Sequence, residues 1–237
     1  MSYKRILLKI SGEALYNGGE KYDEKVFIDI CNTLKNIRKE NTEVAVVCGG
    51  GNIFRGKEIS STFQIEQTTG DYMGMLATVM NGLALQSFFN SHGLPSVAYS
   101  SFPITNILDH YTKRSALASL KEGKVVILTG GVGSPFFTTD TGAALRALEL
   151  DIECILMGKN GVEGVMDKDP RVNKDAKFIK KITYHQVLKD DLKVMDMTAI
   201  SLLKDSSVEI RVFNMKDISN AYSIIKGEDI GTHIVNN

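Results

Sequence analysis

The sequence predicts an α/β fold, a three-layer αβα sandwich around a mostly parallel central sheet. Short apolar, β-branched runs alternate along the chain with segments of helical periodicity. Three of those runs also end in glycine-rich turns. Ile6-Leu-Leu-Lys9-Ile10-Ser11-Gly12 is the first, and Val44-Ala-Val-Val-Cys48 leads into Gly49-Gly50-Gly51. The third, Val125-Val-Ile-Leu128, leads into Thr129-Gly130-Gly131-Val132-Gly133. Glycine has no Cβ, so such turns at the carboxyl ends of parallel strands let an anion approach the backbone N–H groups.

In chain order, residues 5–10 read as a buried strand. Residues 24–39 read as a helix, with Val26, Phe27, Ile30, Cys31, Leu34 and Ile37 at three- and four-residue spacing. A strand at 44–48 follows. Residues 56–70 are polar and weakly periodic, a loop or short helix. Residues 71–91 form the strongest helix. Met73, Leu76, Ala77, Met80, Leu83, Ala84 and Phe88 make its stripe, and Met75, Val79 and Leu85 flank it. Apolar over more than one face, it is either a central core helix or a subunit interface. Strands at 95–99 and 125–129 bracket a helix near 111–121. A helix at 141–149 follows Thr138-Thr139-Asp140, with Asp140 a natural N-cap. A strand begins at Cys154, and a loop over 158–180 is rich in Lys, Asp, Gly and Pro. Helices at 183–190 and 196–204, a strand at 209–213 and a helix at 218–226 complete the reading. With no low-complexity linker, residues 1–237 form one domain. Its acceptor-binding lobe is expected over approximately 1–150 and its ATP-binding lobe over 151–237, sharing one sheet.

Basic and acidic residues balance at 28 each, which gives no overall electrostatic case for nucleic acid or membrane binding. No apolar run approaches the roughly 20 residues of a membrane span. The start, Met1-Ser-Tyr-Lys-Arg5, lacks the apolar stretch of a secretory signal, so a cytoplasmic protein is expected. Cys31, Cys48 and Cys154 sit apart in apolar runs and read as buried, reduced thiols rather than zinc ligands.

Three glycine turns and a lysine within a strand point to phosphoryl chemistry. Gly51-Asn-Ile-Phe-Arg-Gly56-Lys57 imitates a P-loop, but Glu58 stands where a magnesium-ligating Ser or Thr belongs, so no P-loop is expected. Lys9 is either a snorkelling strand-end lysine or a point charge aimed at a transferring phosphoryl group. Asp140 has two compatible roles, helix cap and orienter of a lysine ammonium. The loop with Asn160, Gly161 and Met166-Asp-Lys-Asp169 reads as a plain hairpin or as a nucleoside platform.

Several long blocks carry a family resemblance that spans nearly the whole chain. They are Lys4-Arg-Ile-Leu-Leu-Lys-Ile-Ser-Gly-Glu-Ala-Leu15, Gly49-Gly-Gly-Asn-Ile-Phe-Arg-Gly56 and Gly70-Asp-Tyr-Met-Gly-Met-Leu-Ala-Thr-Val-Met-Asn-Gly82. To these add Pro135-Phe-Phe-Thr-Thr-Asp140, Gly161-Val-Glu-Gly-Val-Met-Asp-Lys-Asp-Pro170, Leu192-Lys-Val-Met-Asp196 and Ile210-Arg-Val-Phe-Asn214. Together they resemble the bacterial uridylate (UMP) kinases, of the amino-acid kinase fold, which lacks a P-loop. The resemblance implies transfer of the ATP γ-phosphoryl to UMP in pyrimidine nucleotide synthesis. Mg²⁺ would come with ATP, without direct protein ligation. It implies catalytic roles for Lys9 and Asp140. ATP would meet Lys9, Ile10, Ser11, Gly12, Gly51, Arg55, Asn160, Met166 and Asp169. UMP would meet Gly50, Asp71 (at its ribose), and the loop Val132, Gly133, Ser134, Pro135, Phe136, Phe137, Thr138 and Thr139. Met166 stands where the family pattern has an aromatic, so apolar contact replaces stacking there. The resemblance further implies a homohexamer with GTP as activator and UTP as inhibitor.

Overall fold

The computed structural model describes residues 3–16, 22–54, 64–168, 172–173 and 175–236. Among these residues nine strands form one sheet. In chain order they are β1 (Arg5–Ile10), β2 (Glu43–Cys48), β3 (Ser96–Ser100), β4 (Asp109–His110), β5 (Val125–Thr129), β6 (Cys154–Lys159), β9 (Lys181–Thr183), β10 (Glu209–Asn214) and β11 (Thr232–Val235). β7 (Val165–Met166) and β8 (Phe178–Ile179) make a separate antiparallel ribbon inside the 158–180 excursion. The large sheet runs β4-β3-β5-β2-β1-β6-β10-β11-β9, and its one antiparallel junction is β10 with β11.

Helices cover both faces. On one side lie α1 (Glu24–Lys39), α2 (Gln67–Ser91) and α7 (Asn220–Ile225), whose Phe27, Ile30, Leu34, Leu85, Phe89 and Ile224 share a core with Ile6, Leu8 and Ile10. On the other lie α3 (Lys113–Lys121), α4 (Thr139–Glu149), α5 (Tyr184–Lys189) and α6 (Met197–Leu203), around Leu7, Val47, Met157, Ala143, Ala147 and Ile200. Two filled faces explain why the central strands read as unbroken apolar runs rather than alternating ones. Asp23 caps α1 by accepting from the Lys25 and Val26 N–H groups, a device that contributes about 1 kcal/mol.

The structure corrects four sequence expectations. The cap of α4 is Thr138, whose hydroxyl accepts from the Asp140 and Thr141 N–H groups; Asp140 lies within the first turn. The long helix starts at Gln67, four residues before Asp71. Its apolar stripe is split: Met73, Leu76 and Met80 are exposed with Tyr72, Ala77 is buried and Leu83, Ala84 and Phe88 are half-buried, while the flanking Met75, Val79 and Leu85 are buried with Phe89. The short strands β4, β9 and β11 went unread. All three cysteines are buried and free, and no helix among the described residues is long and apolar enough to cross a membrane.

Candidate active site

β1 lies in the middle of the sheet between β2 and β6, so Lys9 does not sit on an edge strand, although it is next to last in β1. Side chains alternate along a strand, so Lys9 shares the face of Leu7, the face that α4 covers. It registers between Val47 and Met157, both buried. With Thr138 capping α4, the Asp140 side chain is released from cap duty. Its Oδ1 lies 2.8 Å from the Lys9 ammonium, with only 16% and 21% of the two side chains exposed. A second ammonium joins them. Burial lowers the Lys159 pKa from its ordinary value, nearby Asp140 partly offsets this, and the Lys9 charge pushes the same way as burial. Its Nζ donates to the Lys193 carbonyl at 2.9 Å.

The glycine turns surround this cluster. Gly49 N–H donates to the Ile10 carbonyl at 2.9 Å, joining the turn after β2 to the end of β1. A Cβ built on Gly12 would lie 2.5 Å from the Gly49 carbonyl oxygen and 2.7 Å from the Gly51 nitrogen, so the two turns interlock. Asn81, fully buried on α2, donates to the Gly49 carbonyl at 2.7 Å and to Asn52 Oδ1 at 2.8 Å. Thr78, one helical turn earlier, accepts from Gly130 N–H at 2.8 Å. These two polar residues were missed as site residues. Their signal was present as polar side chains inside an apolar helical stretch.

The loop after β5 folds back over α2. Gly130, Gly131 and Gly133 all have positive φ, as does Phe136 at 69°. A bulky residue in that region needs holding, and Asp71 Oδ2 accepts from Phe136 N–H at 2.8 Å. The Phe136 and Phe137 rings are exposed. At the loop's far end Asp196, the cap of α6, accepts from Ala199 N–H at 2.9 Å, from Thr141 Oγ1 at 2.8 Å and from Thr138 Oγ1. Burial pushes the Asp196 carboxyl up, but these hydrogen bonds outweigh it and hold the group below its ordinary value. The sequence placed Asp196 in a quoted block without a role.

Asn160 and Met166 line a cavity of about 560 Å³ with Lys159, Gly161, Asp190 and Leu192, opening beside the end of β6. Lys9, Gly12, Gly50, Gly51, Asp71, the Val132–Thr139 loop, Asp140 and this cavity therefore all sit around the carboxyl ends of β1, β2, β5 and β6. Ile10 and Ser11 lead out of β1 into the short 3-10 turn Gly12–Leu15. Arg55 and Asp169, and the P-loop-like Gly56, Lys57 and Glu58, lie outside the described residues. Among the described residues no three His, Cys, Asp or Glu side chains gather as a metal cage.

Ligand sites at strand carboxyl ends where the strand order reverses are a general property of open parallel sheets. Comparison with known proteins makes the likeness specific. A uridylate kinase of Mycoplasma capricolum subsp. capricolum is 45% identical over 227 residues, 95% of each chain. The crystal structure of a UMP kinase from Bacillus anthracis superposes with a TM-score of 0.95 at 35% identity, covering 100% of this chain and 98% of that one. That of a UMP kinase from Ureaplasma parvum gives 0.91 at 34% identity, covering 99% and 100%. The family model for the amino acid kinase family matches residues 4–214, a span that runs from the start of β1 through β10 and takes in every turn described above; the chain belongs to that family.

Proposed function

We propose that this protein is a uridylate kinase, transferring the γ-phosphoryl group of ATP to UMP to give ADP and UDP in pyrimidine nucleotide synthesis. The observation that carries the reading is the Lys9–Asp140 pair, 2.8 Å apart and enclosed by three glycine turns. A phosphoryl group passing between two phosphates needs charge neutralised and oxygens held in line more than it needs a strong base. The UMP phosphate already carries nearly two negative charges at neutral pH. Lys9 supplies a preorganised cation at the transferring group, and Asp140 fixes its ammonium.

Gly12 and Gly51 offer N–H groups to the ATP phosphates, with Ile10, Ser11 and Arg55 around them. Asn160, Met166 and Asp169 hold the adenine nucleoside. Gly50, Asp71 and the loop from Val132 to Thr139 hold UMP. Asp140 and Asp196 are already engaged, so this donor set fits Mg²⁺ entering on the ATP phosphates rather than in a protein cage. Bound there, the ion would neutralise phosphate charge. Residues 1–150 then serve as acceptor lobe and 151–237 as ATP lobe. The setting is the cytoplasm, and GTP activation and UTP inhibition belong to the same reading. An ADP-release assay with UMP, CMP, dUMP and glutamate as acceptors, with and without GTP, tests it. Turnover with glutamate instead of UMP would move the protein elsewhere in its family, and nucleotide binding without any UDP would make it a sensor.

Two expected results follow from particular residues. One Asp71 oxygen already takes the Phe136 N–H, and the ribose hydroxyls are expected on the carboxylate as well. Losing a hydroxyl there costs on the order of 1–3 kcal/mol. UMP should therefore exceed dUMP in kcat/KM by about tenfold or more; equal values would remove Asp71 from the ribose site. The second concerns assembly. Tyr72, Met73, Leu76 and Met80 form an exposed apolar stripe on α2, which a subunit contact would cover. Light scattering at micromolar concentration should report a homohexamer, and a 26.1 kDa species would contradict it.

A further inference from the structure

Behind the acceptor loop lies a buried polar chain that ends on a loop carbonyl. Arg146 of α4 is only 6% exposed. Its Nη1 is paired with Glu149 and its guanidinium lies 4.0 Å above the Tyr111 ring, while Tyr111 donates to the same Glu149 oxygen at 2.8 Å. Arg146 Nη2 donates to Ser101 Oγ at 3.1 Å, and Ser101 Oγ lies 2.7 Å from the Gly131 carbonyl oxygen. The direction of this chain is fixed by chemistry. An arginine can only donate, so the serine oxygen accepts from it and spends its single proton on a carbonyl. Ser101 Oγ also lies 3.0 Å from the Thr129 carbonyl oxygen, which receives Ser101 N–H as well, and the Gly131 oxygen at 2.7 Å is the nearer acceptor for the hydroxyl.

In a trans peptide the carbonyl and the following N–H point opposite ways. Drawing the Gly131 carbonyl inward to Ser101 turns the Val132 N–H outward, on the side of the loop away from α4. Among the described residues that N–H has no hydrogen-bond partner. Two contacts make the arrangement tight. A Cβ on Gly142 of α4 would lie 3.1 Å from the Gly131 carbonyl carbon, and one on Gly133 would lie 2.9 Å from the Ser101 carbonyl oxygen.

We propose that Ser101 and Arg146 are positioning residues that lock the Gly131–Val132 peptide so that its N–H is presented to the acceptor nucleotide. This rests on the reading of Val132–Thr139 as the UMP loop. Neither residue touches substrate; Arg146 sets the serine's proton, and the serine sets the peptide.

The test is steady-state kinetics on Ser101→Ala and Ser101→Thr with melting curves on both. Ser101→Ala should raise KM for UMP by about tenfold, the loss of one aligned hydrogen-bond donor to the nucleotide. Its KM for ATP should stay unchanged and its kcat at saturating UMP within about threefold. Ser101→Thr, which keeps the hydroxyl, should restore KM for UMP. A Ser101→Ala enzyme with unaltered KM for UMP overturns the proposal, whether or not its melting temperature and kcat fall, because a merely structural role would act there. A wild-type enzyme that does not turn over UMP would overturn the kinase reading itself, and the proposal with it.

Discussion

Replacing Lys9 by Met is expected to leave a folded protein whose kcat is lower by about 10²–10³-fold, the effect of deleting one preorganised charge partner from an enclosed site. Methionine keeps the unbranched length and suits a stem position between Val47 and Met157. The stability cost is the loss of a partner for Asp140, whose side chain is about one-fifth exposed. Lys159 already senses the Asp140 charge and can partly take over. Together these limit the loss to about 1–3 kcal/mol, or a melting shift of about 2–12 °C for a chain of this size. Affinity for UMP in calorimetry should change little, because Lys9 is proposed to serve the transferring phosphoryl rather than the acceptor. Lys57→Ala, which removes the lysine of the P-loop-like stretch, should keep kcat within about threefold. A Lys9→Met enzyme with more than about a third of wild-type kcat, under about 1 kcal/mol lost, would shift the catalytic charge to Lys159.

The elements that the sequence revealed are those with one dominant pattern. β1, β2 and β5 are short, largely apolar runs followed by glycine turns, which made them legible as strands, while their order in the sheet rests on pairing that no local pattern shows. α4 shows where that reasoning stops. Thr138, Thr139 and Asp140 are three consecutive good caps, and nothing local chooses among them. Tertiary contacts choose: Thr138 shares Asp196 with Thr141, while Asp140 pairs with Lys9. α2 misled for a related reason. Thr78, Asn81 and Gly82 are buried because they meet glycine turns and β5, so its buried face looks less apolar than its exposed one. The exposed face keeps Tyr72, Met73, Leu76 and Met80. β9 and β11 are three and four residues long and pair across about fifty residues of chain, beyond any local periodicity.

Replacing Gly12 by Ala should damage both fold and catalysis, and Gly51→Ala should separate the two. Gly12 is buried in the 3-10 turn that follows β1. A methyl there would meet the Gly49 carbonyl oxygen at 2.5 Å, the Gly51 nitrogen at 2.7 Å and Asn52 Oδ1 at 2.8 Å. Two of these are backbone atoms and cannot swing aside, so the turns after β1 and β2 must part by several tenths of an ångström or more. Asn81 resists, since its amide holds both Gly49 and Asn52. Overpacking of this kind costs about 1–3 kcal/mol, and a rigid backbone clash belongs at the upper end, a melting shift of about 6–12 °C. The same displacement moves the N–H groups proposed to face the ATP phosphates relative to Lys9. A misplacement approaching 1 Å costs about 10²-fold in rate. Among the described residues, a methyl on Gly51 would instead meet the Glu13 side chain, at 3.5 Å, an ordinary contact. Gly51→Ala should therefore melt within about 2 °C of wild type yet raise KM for ATP, because its methyl occupies the approach to the N–H groups. Melting curves and ATP saturation curves on the two variants decide the matter. Wild-type stability in Gly12→Ala would show that the turns do not interlock, and an unchanged KM for ATP in Gly51→Ala would show that the ATP phosphates lie elsewhere.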